Sequence, residues 1–78
     1  MIMETITQET LLAVARDLHA NFILDNGYRP ETIKVGYNQY EVMKTIKTGD
    51  FKHLGHDYKE FLKMRVKEVH KLNYIKVE

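Results

Sequence analysis

Residues 53–57 read His53-Leu54-Gly55-His56-Asp57. Two imidazoles three residues apart, with a carboxylate beside them, are a donor set suited to zinc or nickel. A closed site needs further ligands, which His19 or His70 would have to bring in. The His-Glu-x-x-His pattern of catalytic zinc is absent, and the bland reading of the segment is a polar, exposed loop. The same histidines, partnered by Asp17, Asp57 or Glu68, are the candidates for general acid–base work, which requires a base tuned by a pocket. The chain has no Walker A loop, no dinucleotide glycine fingerprint, no nucleophile elbow, no serine and no cysteine. We therefore expect no enzyme, no cofactor and no resident metal; His53, His56 and Asp57 are the weak metal candidates.

A second constellation lies in charge. Residues 1–43 carry three basic and six acidic side chains, and residues 44–78 carry nine and five. The net +1 of the chain thus hides an acidic half and a basic half, a polarity suited to head-to-tail contacts between copies. In the basic half, Lys63, Arg65 and Lys67 alternate with Leu62, Met64 and Val66. On a strand these three cations share one face and can track a phosphate backbone, with Tyr58, Phe61 and Tyr74 close by for stacking. The bland alternative is a solvated outer sheet face. The paired-aromatic signatures of RNA-binding sheets are missing. Five tyrosines in so short a chain also point to a protein–protein surface, because tyrosine buries area while keeping a polar tip. Tyr37, Tyr40, Tyr58 and Phe61 are the interface candidates.

The elements that would position these groups follow from periodicity. Thr5 with Gln8 has capping-box form, and Leu11, Ala15, Leu18 and Phe22 then line one helical face. Asn26-Gly27 stops that helix, with Pro30 just beyond. Thr32–Val35 alternates and is β-branched, so it reads as a strand closed by Gly36. Asn38 and Glu41 open a second helix that ends at Gly49-Asp50, and 51–57 reads as a loop. Over 58–72 two periods compete, a strand through Leu62, Met64 and Val66 or a third helix through Tyr58, Phe61, Leu62, Val66, Val69 and Leu72. We favour the strand, because Met64 lies off the helical stripe and His70 to Asn73 can turn a hairpin into the strand-like Tyr74–Val77. The expectation is an α+β, two-layer domain in the order helix, strand, helix, strand, strand, with both helices on one face of a small sheet. Its core would hold Leu11, Ala15, Leu18, Phe22, Ile33, Val35, Met43, Ile46, Leu62, Val66, Ile75 and Val77.

Seventy-eight residues make one domain, 1–78, with 44% apolar residues and little net charge, which excludes disorder. No apolar run approaches the ~20 residues that span a bilayer, and no secretory signal is visible at the start, so the expectation is a cytoplasmic protein without a membrane. A core of this size supplies only about 3–5 kcal/mol. With no disulfide available, a homo-oligomer is the expected reinforcement.

Residues 30–78 also resemble a known pattern. Pro30 to Lys44 reads Pro-Glu-Thr-Ile-Lys-Val-Gly-Tyr-Asn-Gln-Tyr-Glu-Val-Met-Lys, followed by Phe-Leu-Lys-Met-Arg-Val-Lys-Glu-Val from Phe61 and Leu-Asn-Tyr-Ile-Lys-Val from Leu72. This resembles small tailed-phage or prophage proteins and the peripheral domain of tailed-phage capsid subunits, where a Pro-led strand feeds a helix and a hairpin follows. The resemblance implies a non-enzymatic structural or accessory protein that self-assembles or docks on a phage particle or a host protein, in the host cytoplasm or in the virion. The alternative is a small nucleic-acid-binding or regulatory protein using the basic half.

Overall fold

The computed structural model describes residues 7–55 and 58–78. They form an α+β fold of two helices and a five-stranded mixed sheet: α1 (Gln8–Asn26), β1 (Thr32–Val35), α2 (Tyr37–Met43), β2 (Phe51–His53), β3 (Lys59–Phe61), β4 (Met64–Glu68) and β5 (Ile75–Val77). The sheet order is β2-β3-β4-β1-β5; β1 runs parallel to β4 and antiparallel to β5.

The first helix ends where its sequence says it must. Gly27 caps α1 in the left-handed conformation (φ 77°), its N–H donating to Ile23 O at 2.8 Å. At the other end Thr7 is the N-cap, its Oγ1 accepting from Thr10 N at 3.1 Å. The expected partner Thr5 lies outside the described residues. Gln8 reaches away instead, its Nε2 donating to Thr45 O at 3.0 Å and to Thr45 Oγ1 at 2.8 Å, which ties the start of α1 to the chain after α2.

Residues 58–72 contain strand, not a third helix. The sheet nevertheless holds two strands more than the sequence pattern shows. Phe51–His53, expected in a loop, pairs with β3, placing Phe51 opposite Phe61. Phe61 in turn stands opposite Met64 across the β3–β4 turn. Because opposite residues share a face, Phe51, Phe61 and Met64 all point inward, and Phe51 meets the Tyr40 ring edge-on at 6.4 Å.

The hairpin expected through His70 to Asn73 does not form, because β1 lies between β4 and β5. Ile33 and Val35 on β1 are fully buried and occupy the sheet interior. The 69–74 segment crosses the end of β1 and serves α2 instead. Lys71 O accepts from Tyr37 N at 2.8 Å and Leu72 O from Asn38 N at 2.9 Å, which satisfies donors that a helix start leaves orphaned. The buried Gln39 completes the junction: its Oε1 accepts from Tyr74 N at 2.9 Å and its Nε2 faces Asn73 Oδ1 at 3.4 Å. The crossing is so close that a Cβ at Gly36 would sit 2.6 Å from Lys71 O and 2.8 Å from Tyr74 N. Glu41, expected to cap α2, instead pairs with Lys44 at 2.7 Å.

The core joins Leu11 and Ala15 of α1, Tyr40 and Met43 of α2, Ile46, and the inward residues Ile33, Val35, Phe61, Met64 and Val77. Leu18, Phe22, Leu62, Val66 and Ile75 pack against it while partly exposed. Of the largest fully buried side chains, Ile33, Met43 and Val35 are expected core members, whereas Phe61 and Met64 are not.

Candidate nucleic-acid interface

Strand register assigns the other face of the sheet. Lys34 on β1 stands opposite Lys67 on β4 and opposite Lys76 on β5, so three ammonium groups lie side by side across three adjacent strands. The neighbouring row places Lys52, Glu60, Arg65 and Thr32 opposite one another in turn. Opposite side chains are about 4.5–5.5 Å apart at Cβ, and like charges there are destabilising. The Lys67–Lys34–Lys76 row therefore repels itself wherever anions do not answer it.

One carboxylate answers this row. Glu78 Oε1 lies 2.9 Å from Lys34 Nζ. The Lys34 hydrogen bond holds the Glu78 carboxyl below its ordinary value; the charges of Lys34, Lys76 and Lys67 act the same way, and desolvation opposes them. Lys34 is raised above its ordinary value by the same hydrogen bond. A single acid thus sits in the field of three lysines, an arrangement that attracts further anions.

Two tyrosines border the basic rows, and each carries a cation over its ring. The Arg65 guanidinium stands 5.4 Å from the Tyr58 centroid, and Lys71 Nζ stands 4.7 Å from that of Tyr74. Tyr58 is 39% exposed.

At the β4 side the face runs into a groove of about 660 Å³. Lys63, Arg65 and Lys67, the three residues expected to act together, all line it, joined by Arg29 and by His19 of α1. Glu31 is its acid, and Tyr28 and Tyr58 are its aromatics. Arg65 and Lys67 belong to β4, as expected. Lys63 does not share their strand: with Leu62 it forms the β3–β4 turn, both residues in the left-handed region (φ 52° and 66°). Among the described residues no carboxylate pairs with Arg29, Lys63, Arg65 or Lys67.

The remaining candidates separate. Tyr40 is 8% exposed and Phe61 is fully buried, so both are core residues and neither presents a surface. Tyr37 is exposed, beside Leu72, and Tyr58 borders the groove. His53 is exposed on β2, while His56 and Asp57 lie outside the described residues. Among the described residues no three metal-binding side chains come together. Lys34 and Arg29 escaped sequence reasoning, and Lys76 counted only as one of the nine cations of the basic half, because segments far apart in the chain bring them beside Lys67 and Arg65. No described helix is long and apolar enough to cross a membrane.

Comparison with protein-family models, with curated proteins and with solved structures gives no match to this chain. The fold and the site together define an α+β protein with a basic, tyrosine-bordered sheet face.

Proposed function

We propose that the protein is a non-catalytic binding module whose outer sheet face takes up single-stranded nucleic acid. The observation that carries the reading is the Lys67–Lys34–Lys76 row, three like charges held in cross-strand register. A phosphate backbone lying across the strands neutralises this repulsion and releases its own counterions. Tyr58 and Tyr74 at the borders favour a single strand over a duplex, since only unpaired bases can stack on side chains. Fluorescence anisotropy with a labelled single-stranded oligonucleotide tests the reading. Saturable binding at low salt is expected, and no complex under those conditions rejects it.

Self-association is the second reading, within which a phage-type assembly role would fall. It rests on Tyr37 (61% exposed) and Leu72 (69% exposed), neighbours around a surface hollow of about 470 Å³. Light scattering at micromolar concentration decides it: a mass of two or more chains is expected, and a stable monomer ends the reading.

A further inference from the structure

We infer that the groove at the β4 side binds the terminal phosphate of the nucleic acid strand. The inference rests on the proposal that the sheet face binds that strand. Along the Lys67–Lys34–Lys76 row there is one cation per strand, a spacing that serves phosphodiesters bearing one charge each. In the groove, four cations that form no salt bridge among the described residues arrive from three separate segments: Arg29 from the α1–β1 connection, Lys63 from the β3–β4 turn, and Arg65 and Lys67 from β4. Among the described residues Glu31 lines the groove with them and Glu60 stands opposite Arg65, so the cations outnumber the acids. That charge density matches a phosphomonoester, which carries about −1.5 to −2 at neutral pH and offers three acceptor oxygens. Charge-assisted bonds from arginine and lysine to such oxygens are roughly twice as strong as neutral ones. Tyr58, stacked under Arg65 and lining the same groove, is placed to meet the terminal base.

The backbone supplies an independent sign. A two-residue hairpin turn with both residues at positive φ strongly prefers Asn-Gly, yet this one is Leu62-Lys63. Left-handed backbone costs a residue with a Cβ roughly 1–2 kcal/mol. The turn is held by the buried Phe61 and Met64 on either side and by Leu62 N–H donating to Asp50 O at 3.0 Å. Strain of this kind collects at functional sites, where surrounding structure enforces it. Its consequence here is to carry the Lys63 side chain to the groove.

The test uses the full chain and one oligonucleotide sequence in three forms: 5′-phosphorylated, 3′-phosphorylated, and with hydroxyls at both ends. A phosphate at one end is expected to tighten binding about tenfold over the hydroxyl form, the size of one strong added contact. The variant Lys63→Gly removes one groove cation at a left-handed position that glycine adopts without strain, and it leaves the core contact of Leu62 in place. Its ratio of phosphorylated to hydroxyl-ended affinity should fall toward one, a readout that a uniform weakening of strand binding leaves unchanged. Equal binding of all three forms overturns the inference and leaves the sheet-face proposal standing, as does a phosphate gain that survives in the variant. Failure of every form to bind overturns both.

Discussion

Lys67→Glu/Lys76→Glu is expected to abolish strand binding while leaving the melting temperature nearly unchanged. The two substitutions turn two like-charge neighbours of Lys34 into opposite-charge ones, but they also turn the attraction of both positions for the Glu78 carboxylate into repulsion. Cross-strand charge pairs contribute about 0.2–1 kcal/mol each, so the two changes offset one another to within about 1 kcal/mol. In a domain of this size that corresponds to at most about 4–8 °C in melting temperature. Binding has no such offset. Two attractive contacts disappear and two repulsive ones replace them, each worth about 1 kcal/mol at close range in water. Together these amount to a loss on the order of a hundredfold or more. Thermal melts by circular dichroism and anisotropy on the same preparation check both halves. A melting temperature moved by more than about 8 °C would contradict the register, and unchanged affinity would contradict the role of the face.

Phe61→Ala is expected to leave the chain largely unfolded at 25 °C. The ring is fully buried, facing Phe51 on one side and Met64 on the other. Removing a buried phenylalanine ring costs about 3–5 kcal/mol, which equals what a core of this size supplies in total. A urea titration followed by circular dichroism should show no folded baseline. Tyr37→Ala, which removes an exposed ring, should keep its midpoint to within about 0.5 kcal/mol. A cooperative transition near the original midpoint for Phe61→Ala would mean that the residue lies on a surface after all.

The contrast between these two residues shows what could be read from the sequence. Elements with a strong local signature were legible: the Leu11–Ala15–Leu18–Phe22 stripe with its Gly27 stop, the alternating Thr32–Val35, and the cationic alternation of Arg65 and Lys67. The β3–β4 turn was not. Alternation counted through Leu62, Met64 and Val66 puts Phe61 outside, but a two-residue turn at Leu62-Lys63 resets the phase and brings Phe61 and Met64 to the same face. Leucine and lysine give no turn signal, because the conformation they adopt is one that glycine and asparagine favour. Non-local pairing hid the rest. Nothing near Lys34 in the chain announces that Lys67 will lie on one side of it and Lys76 on the other. A β4–β5 hairpin was the economical guess from short connections. The carbonyls of Lys71 and Leu72 are instead needed at the start of α2, and β1 takes the space between the strands. Half of the candidate site, Lys63, Arg65 and Lys67, was therefore visible in advance, while the residues that turn it into a continuous face were not.

The salt dependence of strand binding tests the central claim most directly. Single-strand binding weakens with a slope of about −0.7 in log K against log salt for each phosphate neutralised. Arg65, Lys67 and Lys76, each taking one phosphate while Lys34 keeps Glu78, predict a slope of about −2 for the original protein. For Lys67→Glu/Lys76→Glu, any residual binding should have a slope at least about 1.4 shallower, two contacts having been removed. A slope near zero, or one that the substitutions leave unchanged, would contradict a phosphate backbone lying across this sheet.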